Sequence, residues 1–454
     1  MVGYVQLLRQ NRNFRRLWYG QIVSQLGDWL DSIALFTLLL NLTGSGEAVG
    51  LLLVAEFLPS AIVGPFAGVL IDRLPRRLVL IATDLGRAGL VLLLLIPQSA
   101  GDIWIVYTAV ALKMSLSAFF EPARSAIIPS LCSREELVAA NAISGATWSA
   151  MLAIGAALGG LVAGTLGVQA AFLLDSATFL LSAALIATIR QEQGSAKKVQ
   201  EPGTRNQGAG TGEAGSIAAR TGNRAVDSGV RSTARLALGQ QFSLLGSELF
   251  EGLHFIVSRP AVAWLTFTKA LWSVGAGALL LLTLYGRELF PLGRDGAISI
   301  GLLYAARGIG TGIGPLVALR VGGTTQAALQ RAVALGFLVT GVGYFALSGA
   351  PILAVAMLCT LFAHIGGSIQ WVFSTALLQM RVPDHLLGRV FAIEYAGMTL
   401  ATATSSYLIG VAHDGGFSPR SLTLVVAAIF GAGALMIWAG YRSTMGGAVV
   451  SAES

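Results

Sequence analysis

The chain has 454 residues, of which 54% are hydrophobic and 12% charged, with a formal net charge of +7 and a mean hydropathy of +0.72. An average soluble protein carries roughly 25% charged residues, so this chain lacks the polar skin that a soluble enzyme of its length needs. It can instead fill a bilayer, where a spanning helix takes about 20 mostly apolar residues at about 1.5 Å of rise each.

Twelve segments meet that requirement in chain order: 17–40, 48–70, 78–97, 103–120, 138–164, 168–189, 262–285, 297–319, 329–348, 351–378, 388–412 and 421–441. Lipid offers no hydrogen bonds to the backbone, so each is expected to be a helix. The run from Leu17 is too long for a signal peptide and has no small-residue cleavage site after it, so it is expected to be the first span. Arg9, Arg12, Arg15 and Arg16 precede it; Arg73, Arg76 and Arg77 fill the second loop; Arg124 and Arg134 lie in the fourth. Loops 41–48, 97–102 and 165–170 carry no Lys or Arg. The positive-inside rule then puts the N-terminus in the cytoplasm, and an even span count returns the C-terminus there. The second half obeys less cleanly, since Arg287, Arg294 and Arg420 fall outside, offset by Glu288, Asp295 and Asp414. Because the cations map to one membrane side, the expected charged partner is the bilayer and not nucleic acid. Cys132 and Cys359 are too few and too separated for a disulfide framework or a zinc site.

Residues 190–241 are rich in Gly, Ser, Thr, Ala and Arg and lack aromatics. Such a stretch cannot bury a core and is expected to be a disordered cytoplasmic linker. After it, Leu245, Leu249, Leu253 and Ile256 recur at helical spacing. They mark either an interfacial helix feeding the seventh span or an extension of the linker. The organisation expected is a first six-helix bundle over 1–190, a linker over 191–241 and a second bundle over 242–454, opened by the interfacial helix. Gly64–Pro65 in the second span matches Gly314–Pro315 in the eighth, each followed by an arginine, Arg73 or Arg320. With the six-plus-six layout, this suggests duplicated halves.

The sharpest motif is Gly68-Val-Leu-Ile-Asp72-Arg73-Leu-Pro75-Arg76-Arg77. Gly68 permits close helix approach, Pro75 suits a first helical turn, and the arginines anchor the loop near anionic headgroups. Asp72 can pair with them or sit on a helix N-terminus. The stretch resembles the G-x-x-x-D-R-x-x-R-R loop of the major facilitator superfamily. Ser24-Gln-Leu-Gly27-Asp28, Ala82-Thr-Asp84-Leu-Gly-Arg87-Ala88, Phe119-Phe120-Glu-Pro122-Ala-Arg124, Ile128-Pro129 and Ala140-Asn141 are most similar to its drug-exporter branch, which contains macrolide efflux proteins and the enterobactin exporter. The resemblance implies an all-α fold of twelve helices in two pseudo-symmetric bundles in the bacterial cytoplasmic membrane. It also implies a central cavity open alternately to each side, and proton-driven export of a small amphipathic molecule, a drug or siderophore-like compound. It further implies a structural charge network at the cytoplasmic gate formed by Asp72, Asp84, Arg87, Glu121 and Arg124. One departure weakens the antiport direction: Gly155-Ala-Ala-Leu-Gly159-Gly160 has alanine where many antiporters of the family have proline. The second-half loop, Arg320-Val-Gly-Gly, also lacks the acid and paired arginines.

An ionisable group inside a span needs a partner, a watery cavity or a function. Gln21, Gln25, Asp28 and Ser32 form a polar stripe on the first span, with Asp31 beside it, and the stripe is expected to face the cavity. Asp28, Asp31 and Glu56 are the proton-coupling candidates. For the aspartates the alternative is a structural cap or hydrogen bond; for Glu56 it is a pair with a cation such as Lys113. Lys113 and Lys269 either bind anionic substrate or neutralise the acids. Asp84 and Arg87, three apart, can meet on one helix face. His364, Ser368, Trp371 and Thr375 repeat the helical spacing on the tenth span, as do Glu394, Met398, Thr402 and Ser405 on the eleventh. Gln25, Lys113, Lys269, Trp272, His364, Trp371, Glu394 and Met398 are the substrate-cavity candidates, with helix packing as the alternative. Asp175 and Arg307 have no assigned role. Neither a phosphate-binding G-x-x-x-x-G-K-[ST] loop nor an H-E-x-x-H is present, so no cofactor, metal or enzyme chemistry is expected. The expected protein is a monomeric secondary transporter. The alternatives are a facilitated importer or lipid transporter of the same fold, and a receptor or scaffold that has lost transport.

Overall fold

A computed structural model of the protein describes residues 4–71, 74–133, 135–189, 250–321 and 325–450. The linker 191–241, Asp72, Arg73, Arg134 and the first part of the interfacial segment lie outside the described residues. Residues Met1–Ile189 and Gly252–Ser454 form one compact unit.

The described residues are helical almost throughout. In the first half, α1 is Tyr4–Gln10, α2 Arg12–Thr43, α3 Gly46–Ile71, α4 Arg76–Leu92, α5 Ile103–Leu131, α6 Leu137–Leu166 and α7 Val168–Ala187. After residues 250–257 (α8) come α9 Pro260–Val274, α10 Ala278–Leu284, α11 Ala297–Val321, α12 Gln326–Ser348, α13 Leu353–Arg381, α14 Asp384–Asp414 and α15 Pro419–Val450. Among the described residues, eleven helical segments are long and apolar enough to cross a membrane. The segment expected at 388–412 is also helical, within the 31-residue α14, but falls below that apolar threshold. Its Glu394 and the Thr and Ser residues at 399–406 account for the deficit. Large side chains such as Leu316, Leu400 and Leu435 are exposed around the unit, as a surface facing hydrocarbon requires.

Local chemistry sets the helix ends. Asn11 caps α2 by accepting the Phe14 N–H at 2.9 Å, and Gly44, at φ 63°, ends it by donating to the Leu40 carbonyl. Arginines close the same membrane end of the first half. Arg76 donates to the Ala126 carbonyl at 2.7 Å, Arg77 to the Ile186 and Ala187 carbonyls, and Arg16 to the Thr188 carbonyl at 2.6 Å. The Ala187 and Thr188 carbonyls end α7, where cations favour the negative end of the helix dipole.

The seventh span is broken, which the continuous apolar run does not reveal. Helix α9 stops at Val274, Gly275–Gly277 forms a turn, and α10 leads into a π-helical turn at Tyr285–Leu289. The freed backbone groups find a partner on α14. Ser405 Oγ accepts the Gly277 N–H at 3.0 Å and donates to the Val274 carbonyl at 2.6 Å. Irregular backbone at membrane depth is tolerated only where protein or a cavity re-satisfies it.

Candidate functional site

Two helix pairs join the halves, α3 with α14 and α6 with α11. Both pairs are tight at the end holding residues 41–47 and 410–416. A Cβ on Gly50 would lie 2.8 Å from Tyr407 Cα, and one on Gly160 would lie 2.7 Å from Gly301 Cα. Further along α6 and α11 the spacing grows: a Cβ on Gly312 would meet Ser149 Cβ only at 3.6 Å, and one on Gly145 would meet nothing within 4 Å. A Cβ on Gly64 of α3 also meets nothing. The pairs therefore splay towards the end that carries the arginine-capped helix termini. The Gly155–Gly160 element explains the tight end, since Gly159 packs on Leu30 of α2 while Gly160 packs on α11.

Above the splay lies a cavity of about 380 Å³, within the size range of small-molecule sites. Phe57 and Trp148 represent the first half, and Trp272, His364, Trp371 and Met398 are among the residues of the second. Four substrate-cavity candidates therefore line it. Gln25, Lys113, Lys269 and Glu394 are not among the lining residues. The lining also takes Gly275 and Ala276 from the broken span, and Arg307. His364 Nε2 is hydrogen bonded to Tyr344 Oη at 3.0 Å, so it is a partnered interior histidine that also meets the cavity.

The polar stripe of α2 is not among the residues lining this cavity: Gln21, Asp28 and Asp31 turn to neighbouring helices, Ser32 bonds within α2, and Gln25 Oε1 is buried without a partner. Gln21 donates to the Ser144 carbonyl of α6 and accepts from Arg124 of α5. Ser32 donates back to the Asp28 carbonyl. Asp28 lies 3.5 Å from Lys113 Nζ and 3.7 Å from Arg87. Lys113 also pairs with Asp31 and approaches Asp175 at 3.9 Å, while Arg87 pairs with Asp84. The guanidinium of Arg87 sits 4.3 Å from the rings of both Phe120 and Phe179. Four carboxylates from α2, α4 and α7 thus surround two cations from α4 and α5. Asp31, Asp84 and Asp175 are fully buried; the Asp28 side chain keeps 31% exposure. Lys113 neutralises acids here, and Asp175 finds its place in the same cluster. Glu56 is half-buried on α3 and, among the described residues, makes no ion pair with Lys113 or any other cation.

In the second half, Lys269 of α9 pairs with Glu394 of α14 at 2.9 Å, donates to Thr375 Oγ1 at 2.8 Å and lies 4.6 Å from the Trp371 ring. Lys269 also neutralises an acid, directly behind a cavity-lining tryptophan.

The loop motif is only partly described. Gly68 lies near the end of α3, and Arg76 and Arg77 bind helix carbonyls as above. Arg124 pairs with Glu121 at 2.6 Å. Asp84 and Arg87 join the Asp28–Lys113 cluster; no ion pair links them to Glu121 or Arg124 among the described residues. Arg87 is buried between two phenyl rings, which holds it at the Asp28 level.

At the closed end, a polar latch joins the halves. Asp414 accepts from Ser45 Oγ and from the Gly46 and Glu47 N–H groups, capping α3 from the other half. Tyr407 donates to Glu47 at 2.9 Å, and Arg287 donates to Asn41 at 2.6 Å. His413 meets Glu288 at 2.9 Å. The hydrogen bond to Glu288 raises the His413 pKa, against partial burial that lowers it, with the Glu288 charge, the Phe417 carbonyl and the Asp414 charge adding to the rise. A raised pKa in the folded state gives stability that is full below the unfolded value of about 6.5 and fades as pH climbs through the folded value. The His413→Gln protein should therefore lose less thermal stability than wild type between mildly acidic and mildly alkaline buffer. The difference should be no more than about 1 kcal/mol, typical of an exposed ion pair. Identical melting curves across that window would remove His413 as a contributor.

Sequence reasoning did not single out the Gly275–Gly277 break, Ser405 as its hydrogen-bond partner, or Arg307 as a cavity residue. The signals present were two glycines inside an apolar span and an arginine within a span.

Comparison with known proteins agrees with this architecture. Residues 17–349 match the family described as Major Facilitator Superfamily. An uncharacterized MFS-type transporter of Bacillus subtilis, YkuC, is 28% identical over 182 residues, covering 40% of this chain and 42% of the relative. Macrolide efflux protein A of Streptococcus pyogenes is 32% identical over 126 residues, 27% of this chain and 31% of that protein. These matches span less than half of either relative's length. An uncharacterized MFS-type transporter of Mycobacterium bovis aligns over 435 residues at 24% identity, covering 93% of this chain and 89% of the relative. Among solved structures, a POT family transporter in complex with a thioalcohol conjugated peptide superposes with a TM-score of 0.68 at 11% identity, covering 95% of this chain and 96% of that one. A bacterial homologue of the iron transporter ferroportin, in its inward-facing state, gives 0.63 at 15% identity, covering 95% and 98%. These structures share the fold. With the first nine expected spans inside the family match, the chain belongs to the Major Facilitator Superfamily.

Proposed function

We propose that this protein is a proton-coupled secondary transporter that moves small amphipathic compounds by alternating access. The observation that carries the coupling is the cluster around Lys113. Four carboxylates share two cations, so a fully ionised cluster would hold two uncompensated negative charges among apolar side chains. Protons relieve that cost. Asp28 is its most exposed acid and touches both cations, which makes it the exchange point. Glu56 on α3, which makes no ion pair among the described residues, is the second candidate carrier.

Twelve spans in two related halves fit the packing. The α4–α5, α3–α5, α4–α7 and α2–α6 contacts recur as α12–α13, α11–α13, α12–α15 and α9–α14. With the basic loops in the cytoplasm, the splayed end faces inward and the Asp414 latch closes the outside. Local similarity to a macrolide efflux protein favours export. Import by the same fold is the second reading, favoured by Ala156: α6 runs through Gly155–Gly160 with no proline inside it. Proteoliposomes with an imposed pH gradient test both. Export coupling predicts substrate movement against the proton flow, and import coupling predicts movement with it. Asp28→Asn should cut gradient-driven flux by at least about tenfold, the loss expected when a required proton carrier is removed. Flux that ignores the gradient, or an Asp28→Asn protein equal to wild type, would sink coupling through Asp28.

A further inference from the structure

The chemistry of the cavity wall indicates what charge its ligand carries. The lining has one cationic side chain, Arg307, and no Asp or Glu. Lys269, the other cation nearby, is already neutralised by Glu394. Among the described residues Arg307 forms no ion pair, and its Nε is buried without an acceptor. Only aromatic faces support it, with Trp29 at 5.8 Å and Tyr304 at 5.7 Å from the guanidinium carbon. A second donor is orphaned beside the same space: Trp272 Nε1 also lacks an acceptor. Buried donors without acceptors are costly, and the cost grows when the donor belongs to a cation with no counter-charge. An anionic oxygen supplied by a ligand would satisfy both kinds of deficit. Guanidinium is also the side chain best shaped for a planar, two-oxygen acceptor. The rest of the wall, with Phe57, Trp148, Trp371, Met398 and Phe430, suits a flat apolar body.

We propose that the cavity binds amphipathic monoanions, an aromatic or alicyclic body bearing one carboxylate-like group that pairs with Arg307. This rests on reading the cavity as the transport site and sharpens its substrate class. A drug carried as an ammonium ion would instead bring its charge to Arg307 with no acid in the wall to offset it.

The test uses three probes of one shape on the purified full-length protein in nanodiscs near neutral pH: naphthoate, its methyl ester and naphthylmethylamine. Binding is read from quenching of tryptophan fluorescence and from ligand-induced thermal stabilisation. Naphthoate should bind at least about tenfold tighter than the ester or the amine. Arg307→Gln should erase that preference while leaving ester binding within about threefold of wild type, and Arg307→Lys should keep part of it. Equal or tighter binding of the amine or ester to wild type overturns the proposal, as does absence of binding by all three. So does a preference that survives in Arg307→Gln. The wild-type ranking decides even where the glutamine variant is poorly folded. Carboxylate preference without gradient-driven flux would refute coupled transport and leave the anion site standing. Gradient-driven flux of the amine alone would do the reverse.

Discussion

Replacing Lys113 by methionine should lower the stability of the purified protein by about 3–5 kcal/mol, the usual cost of removing one partner from a buried charge group. The methionine fits the space of the lysine stem, so the loss reports charge and not a cavity. Without Lys113, Asp31 and Asp175 are left without a cation and Asp28 keeps only Arg87. Arg87 cannot replace the lysine, because Asp84 and two phenyl rings hold it in place. The remaining acids can survive only by taking up protons, so the deficit should shrink as pH falls. Adding Asp31→Asn to Lys113→Met should recover a large part of the stability, because it removes one uncompensated acid along with the cation. Thermal or denaturant unfolding of the two single variants and the double variant measures this coupling. Additive losses would show that Lys113 and Asp31 are not the energetic pair that the geometry indicates.

The helices of this fold were legible because each apolar run exceeds the span length, and lipid forces such runs into helices. The cavity was half legible. His364 and Trp371 stood out because their face of one helix repeats at helical spacing, and periodicity within one element is visible in a single sequence. Partnerships between elements were not. Asp28 and Arg87 each stand out as a charge inside a span, but nothing local says that they meet, and the family resemblance points Arg87 to the gate instead. Asp175 and Arg307 are visible as charges inside spans, yet one joins the Lys113 cluster and the other is a cavity donor. That difference depends on which helix faces them. The break at Gly275–Gly277 was hidden for another reason: hydropathy stays high across it, and its cost is met by Ser405, more than a hundred residues away.

Gly160→Val should cut transport by about ten- to a hundredfold while leaving the protein folded and inserted. Gly160 and Gly301 face each other with no side chain between the α6 and α11 backbones. A Cβ at Gly160 would lie 2.5 Å from the Ala297 carbonyl oxygen as well as 2.7 Å from Gly301 Cα. Both are backbone atoms, so no rotamer change relieves the clash and the helices themselves must part. Overpacking of this kind costs about 1–3 kcal/mol. In a protein that alternates between two states, the cost falls only on the state with this end closed. At about 1.4 kcal/mol per factor of ten, the closed form would drop by one to two orders of magnitude against its alternative. A transporter held open at one end cannot complete its cycle. Spin labels at the exposed Gln98 and Ser418, one in each half, should report a longer distance in Gly160→Val than in wild type. Gly89→Val on α4 is the control, since a Cβ there meets nothing within 4 Å and α4 packs on helices of its own half. It should transport at close to the wild-type rate. Wild-type flux in Gly160→Val, or an unchanged label distance, would mean that α6 and α11 do not part at this glycine pair during the cycle.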